Sequence, residues 1–83
     1  MSKQHKVTAD YPAVFSPAEE GGFVVTFPDF PGCVTEGDTF EEARSNAVEV
    51  LELWLEDLRA QNRSLPQHAG RPIVDELEVS LPA

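Results

Sequence analysis

One long amphipathic helix is the feature that most constrains what this chain can fold into. Apolar side chains recur at three- and four-residue spacing along residues 40–58, the pattern of a helix with one face packed on a core. They are Phe40, Ala43, Ala47, Val50, Leu51, Trp54 and Leu58. The stripe widens through Val48 and Leu55. We predict about six helical turns, ending near residues 61–62 because Pro66 prevents the helix from continuing.

A capping-box spacing marks the start of this helix. Thr39 stands three residues before Glu42, so the threonine oxygen can accept from the backbone N–H of Glu42 while the glutamate reaches back to the cap. We therefore assign Thr39 and Glu42 a structural role at the helix start.

Three short strands are predicted before the helix. Residues 11–16 and 23–27 alternate with period two, and the turn residues 17–22 between them predict a hairpin. In the stretch FPDFPG that follows, Pro31 and Gly32 fit the central positions of a type II turn, and we assign them a structural role there. A third strand after this turn completes an antiparallel meander.

A fourth strand is predicted near the end of the chain. Leu77, Val79 and Leu81 alternate with polar neighbours after a loop over residues 62–72. Because a helix connects it to the third strand, it should run parallel to that strand and lie beside the first. The predicted fold class is α+β: a flexible tail over residues 1–9, then one domain over residues 10–83 with the order β-β-β-α-β.

A single helix covers only one face of such a sheet. Val14, Val24 and Thr26 have the parity opposite to the phenylalanine-rich side, and they are not polar enough for a fully solvated face. We therefore expect a homo-oligomer, a dimer or a tetramer, with these three residues on the oligomer face.

The charge of the chain limits its partners. Fifteen Asp and Glu against six Lys and Arg give a net charge of -9, which disfavours direct nucleic-acid binding and suits a basic partner, although it also serves solubility. The single cysteine, Cys33, excludes an internal disulfide and a cysteine-rich zinc site. With no apolar run of membrane-spanning length, we expect a cytoplasmic protein without membrane contact.

Residues 22–43, GFVVTFPDFPGCVTEGDTFEEA, resemble the signature of the HicB-like antitoxin family, and the resemblance covers about residues 11–66. It implies a partly degraded ribonuclease H-like fold. It also implies that the chain neutralises a small basic HicA-type toxin, an mRNA-cleaving ribonuclease, by covering its RNA-binding and catalytic face. This role requires no catalysis, cofactor or metal from the chain. Because the chain stops at Ala83 after the last strand, no operator-binding segment is expected.

Partner contacts are predicted on the FPDFPG turn and on the outer side of the helix. The candidates are Asp29, Phe30, Glu41, Glu49, Glu52, Leu53 and Glu56. The four glutamates form an anionic ridge, which is also compatible with an ordinary solvated helix face. Asp29 is either a contact or a turn residue bonded to its own backbone. Phe30 is either an exposed anchor or tucked against the sheet edge.

Two alternative functions remain at this point. One is a stand-alone homo-oligomer without a toxin, which the absence of a neighbouring reading frame for a small basic protein would favour. The other is a metal-dependent nuclease using Asp10, Glu49 or Glu52, and Asp75. Magnesium- or manganese-dependent cleavage of RNA or DNA would identify the latter.

Overall fold

A computed structural model describes residues 9–66 and 72–82. Its elements are β1 (Val14–Pro17), β2 (Phe23–Thr26), β3 (Val34–Gly37) and α1 (Phe40–Ala60). The strands form one antiparallel sheet in the order β1-β2-β3. The prediction of a single α+β domain with three antiparallel strands followed by one helix is confirmed. The tail predicted over residues 1–9 lies, except for Ala9, outside the described residues.

The strand register assigns side chains to the two faces of the sheet. Phe15 pairs with Val25, which pairs with Thr35, so these residues share the face that packs against the helix. Strand β1 begins at Val14, three residues later than the alternation of residues 11–16 suggested.

The core lies between this inner sheet face, the FPDFPG turn and α1. Its buried residues are Val25, Phe27, Phe30, Cys33, Ala43 and Ala47. The two alanines are the only buried residues of α1, and their small side chains let the helix backbone approach the sheet. Phe40 packs at the end of the core next to β1 and β2. Its ring centroid lies 4.8 Å from that of Phe15 and 6.0 Å from that of Phe23.

The closest approach between helix and sheet occurs at Gly37, the last residue of β3. Gly37 is buried, and a Cβ built there would overlap the backbone of Glu42 and Ala43 in the first turn of α1. The helix packs chiefly against β3 and then against β2. Glycine at this position therefore sets the distance between the start of the helix and the sheet.

The predicted fourth strand is not found in the described part of the single chain. Residues 72–82 carry no strand and every one of them is exposed. Among the described residues the sheet ends at β1 on one side and β3 on the other. The apolar alternation that predicted the strand is present, but none of the three described strands pairs with it.

Candidate partner-binding site

The start of α1 is held by two side-chain hydrogen bonds. The backbone N–H of Glu42 donates to Oγ1 of Thr39 at 3.0 Å, and Thr39 has the extended backbone of an N-cap. Oε1 of Glu42 accepts from the backbone N–H of Asp38 at 3.1 Å. The capping-box pattern predicted that this bond would go to the N–H of Thr39, one residue later. The first bond satisfies a donor that a helix start leaves without an internal partner, and the second ties the residue before the cap to the first turn.

The Pro31–Gly32 turn positions the residues before it. The backbone N–H of Cys33 donates to the carbonyl of Phe30 at 3.1 Å, and Gly32 has a φ of 94°, which is the geometry of a type II turn. The chain reverses here, directing the FPDFPG segment back over the end of the sheet.

Phe30 lies inside the core, because this reversal carries it against Tyr11. It is 3% exposed, and its ring meets that of Tyr11 edge-on at a centroid distance of 4.9 Å. Of the two arrangements that the sequence left open for Phe30, an exposed anchor or a ring tucked against the sheet edge, the structure shows the tucked one. The hydroxyl of Tyr11 donates to the carbonyl of Pro66 at 2.9 Å, tying the chain after α1 to the same corner.

Asp29 lies beside Phe30 in a shallow cleft shared with Trp54, Asp57 and Arg63. Asp29 is half-buried, and its Oδ2 atom is buried without a hydrogen-bond partner among the described residues. A buried acceptor without a donor lowers stability by about 1–3 kcal/mol. Because Oδ2 is buried, another molecule reaches Asp29 only through the exposed part of this half-buried residue.

The four glutamates of the anionic ridge, Glu41, Glu49, Glu52 and Glu56, are all exposed on α1. Their spacing places them within an arc of about 80° on the side of the helix away from the sheet. None of the four makes an ion pair or a hydrogen bond with the described residues. Leu53 flanks the ridge and is 60% exposed. The ridge is an open row of like charges with an apolar neighbour.

The outer face of the sheet is the surface opposite the helix. Val14 pairs with Thr26, Thr26 with Val34, and Val24 lies one pair further along on the same face. The three valines are 36%, 37% and 54% exposed in the order Val14, Val24 and Val34. Sequence reasoning named the first two and Thr26 but missed Val34, which the alternation of β3 could have indicated.

A second apolar surface, which sequence reasoning missed, lies between β1 and α1. This surface, the β1 groove, is lined by Tyr11, Ala13 and Phe15 on the sheet side and by Val48 and Leu51 on the helix side. Arg44 and Pro72 also line it. The widening of the helix stripe through Val48 and Leu55 was the sequence signal for it.

The acids considered for a nuclease do not form one cluster. Asp10 and Glu52 line a common cleft beside α1, whereas Asp75 belongs to residues 72–82 and accepts from the backbone N–H of Glu76 at 2.9 Å. Within residues 9–66 and 72–82, no three His, Cys, Asp or Glu side chains converge as metal ligands. No helix of this described part has the length and apolarity needed to cross a membrane.

Known proteins resemble the part of the chain that contains the three strands and α1. The family described as the HicB_like antitoxin of bacterial toxin-antitoxin systems matches residues 11–78. The chain belongs to the HicB-like antitoxin family. The match begins at Tyr11 and includes the FPDFPG turn, the capping box and α1, so the resemblance noted from residues 22–43 is confirmed.

Three similar proteins show how much of a family member the chain spans. A UPF0150 protein of Synechocystis is 42% identical over 57 residues, which cover 69% of this chain and 78% of that protein. Antitoxin HicB 1 of Photorhabdus laumondii is 42% identical over 69 residues, which cover 78% of this chain and 43% of the antitoxin. Antitoxin HicB of Escherichia coli K12 is 44% identical over 41 residues, 49% of this chain and 30% of that antitoxin. The chain thus spans most of the first relative and less than half of the two named antitoxins.

Proposed function

We propose that this HicB-like chain is the antitoxin of a toxin-antitoxin pair and neutralises a small basic HicA-type ribonuclease in the cytoplasm. In this role it acts by binding, covering the RNA-binding and catalytic face of the toxin, and it performs no catalysis itself. Relatives named as HicB antitoxins support the antitoxin role. The net charge of -9 supports a cationic partner.

The observation that carries this proposal is the anionic ridge. Like charges at Glu49, Glu52 and Glu56 stand three and four residues apart, a spacing that destabilises a helix by about 0.2–0.5 kcal/mol per pair. A toxin surface that binds RNA phosphates presents Lys and Arg side chains, which would relieve this repulsion. The exposed part of Asp29, which is half-buried in the cleft beside Phe30, offers one further carboxylate contact on the same molecule.

A charge-matched pair of variants tests the ridge. Glu49→Gln with Glu56→Gln removes two ridge charges, whereas Glu19→Gln with Glu20→Gln removes two exposed charges from the hairpin turn. We expect the ridge variant to raise the Kd for a HicA-type toxin about threefold to tenfold and to weaken protection of RNA from cleavage. The control should retain the parental Kd. Both should melt at or above the parental temperature, since neither loses a favourable contact.

The salt dependence of the Kd for the toxin is an independent test of the ridge. The parental affinity should fall as ionic strength rises, and the ridge variant should show a shallower dependence. Equal affinities for the ridge variant and the hairpin control, or an affinity that does not change with salt, would contradict the role of the ridge.

We also infer that the chain forms a homo-oligomer through the outer face of the sheet. The exposed valines at positions 14, 24 and 34, with Thr26, make an apolar patch that a second copy would cover. Val24→Lys should lower the mass measured by light scattering, whereas Leu53→Lys, on the helix, should not. An unchanged mass for Val24→Lys would remove this face from consideration. This oligomer is also the form that a member without a toxin partner would take.

We assign the fourth strand to the same homo-oligomer. We infer that residues 76–81 pair parallel to β1, which would complete the β-β-β-α-β order of a partly degraded ribonuclease H-like fold. The alternation of Leu77, Val79 and Leu81 and the unpaired edge of β1 support this inference.

A further inference from the structure

We propose that residues 72–82 of one copy add as a strand to β1 of a second copy, and that two copies exchange these segments reciprocally. The inference rests on the fourth strand proposed above and is independent of any toxin. It identifies the partner of the segment as a second molecule of this chain.

The segment has the apolar composition of a buried strand, but its large apolar side chains are exposed in the single chain. Ile73, Leu77, Val79 and Leu81 share one parity and are 92%, 80%, 69% and 85% exposed. Val74 is 85% exposed on the other parity. Large apolar side chains in such a run are rarely left in water, and an extended apolar run is the form that adds to a sheet edge.

The β1 groove is the surface that such a segment fits. The outer edge of β1 offers unpaired backbone groups, because β1 pairs only with β2 among the described strands. Val48 on α1 is 48% exposed in the groove, so the helix already carries apolar surface that the three strands do not cover. A strand placed beside β1 would cover Val48 and satisfy the edge at the same time.

One pair of opposite charges is consistent with the same pairing. Arg44 lines the β1 groove. Asp75 is exposed and has the same parity as Leu77 and Val79, so in the added strand it faces the groove with them. Glu76 and Glu78 have the opposite parity and face away from the helix.

The course of the segment points to a second copy as the source of the strand. Pro72 lies at the groove, but the residues after it are exposed and leave it. The molecule measures 70 Å along its longest axis and 30 and 23 Å along the others, and an extended stretch of eleven residues reaches about 36 Å. The radius of gyration is 16.7 Å, compared with about 12 Å expected for a compact chain of this length. The segment thus extends away from the folded core, where a second copy can meet it.

The area available is sufficient for a stable dimer. Burying one aliphatic side chain removes about 60–120 Å² of apolar surface from water. The four side chains of one parity from each of two copies would bury about 500–1,000 Å², and the groove surfaces beneath them a similar area. The total, about 1,000–2,000 Å², falls largely within the range of specific dimers. Reciprocal exchange also gives the two-fold symmetry that most dimers have.

The test is the mass of the full chain in solution, measured by light scattering over a range of micromolar concentrations. We expect Leu77→Ser with Val79→Ser to halve the mass of the parental assembly. The matched control, Glu76→Ser with Glu78→Ser, changes the opposite parity of the same segment and should leave the mass unchanged. Because the segment lies outside the folded core, the helical circular dichroism of both variants should match the parent.

A second pair of variants locates the surface that receives the segment. Val48→Asp places a charge in the β1 groove, and Leu53→Asp places the same charge about 140° away around α1. We expect Val48→Asp to raise the dissociation constant of the dimer at least about tenfold, with Leu53→Asp close to the parent. A dimer insensitive to Val48→Asp would overturn the exchange, since a contact between the segments alone would not involve the groove.

The remaining outcomes separate this inference from the fourth strand itself. A chain that is monomeric at every concentration, but melts lower with Leu77→Ser and Val79→Ser, has its fourth strand in the same molecule, which overturns only the exchange. If the serine variants change neither mass nor melting temperature, both the exchange and the fourth strand are overturned. An antitoxin that still binds its toxin in either case leaves the proposed function standing.

Discussion

The close approach of β3 to the start of α1 makes Gly37→Ala the most informative single substitution. An added methyl group at Gly37 would overlap backbone atoms of Glu42 and Ala43. Backbone cannot rotate away as a side chain can, so either the helix start or the end of β3 must shift. Overpacking of a core costs about 1–3 kcal/mol. Because backbone must move here, we expect a loss near the upper end, about 3 kcal/mol.

This loss is large enough to measure as a change in melting temperature. For a domain of this size each kcal/mol shifts Tm by about 4–8 °C, so Gly37→Ala should lower it by about 12–24 °C. Thermal unfolding followed by far-ultraviolet circular dichroism, together with urea denaturation, would give the change in Tm and in the free energy of unfolding.

Gly21→Ala is the matched control, because it separates backbone conformation from contact. Gly21 has a φ of 100°, but a Cβ there would meet no atom within 4 Å. Its substitution should therefore cost only the conformational strain, about 1 kcal/mol after the gain from a less flexible unfolded chain. A Gly37→Ala variant that melts within a few degrees of the parent, or above Gly21→Ala, would refute the close packing of helix on strand.

Two further predictions concern the helix cap and the cysteine. Thr39→Ala should lower the free energy of unfolding by about 1 kcal/mol by removing the acceptor for the Glu42 N–H, whereas Thr39→Ser should stay near the parent in urea denaturation. Burial raises the pKa of the Cys33 thiol, so the folded state favours the neutral thiol, and stability should fall as the pH rises through the unfolded thiol pKa of about 8.5. Cys33→Ala should remove that part of the pH dependence, and iodoacetamide should modify the folded chain much more slowly than the unfolded one; rapid modification of the folded chain would contradict the burial.

The features predicted correctly from the sequence are those decided by neighbouring residues. The cap at Thr39, the turn at Gly32 and the apolar stripe of α1 each depend on groups within a few positions along the chain. Such short stretches of sequence contain all the residues that form these local hydrogen bonds and this helical periodicity. The order of the three strands followed from the same kind of signal, since hairpins join sequence neighbours.

The features that sequence could not decide depend on contacts between distant residues. Phe30 lies between two prolines, in a pattern that is compatible with either an exposed or a buried ring. Its ring is buried because it packs against the ring of Tyr11, which lies just before β1. The Oδ2 atom of Asp29 is unpartnered because of what surrounds it, which no spacing predicts. For residues 76–81, the alternation predicts a strand but contains no information about which edge, or which molecule, the strand pairs with.

The positions of the three candidate surfaces bear on how self-association and toxin binding would combine. The outer sheet face and the anionic ridge lie on opposite sides of the molecule, because the helix carrying the ridge packs on the inner face of the sheet. Copies joined through their sheet faces would keep their ridges outward. Strand exchange at the β1 groove is a separate two-fold contact, and two different two-fold contacts in one assembly produce a closed tetramer when their axes meet at right angles. Every copy in such a tetramer would present its own ridge, which favours one toxin for each antitoxin chain.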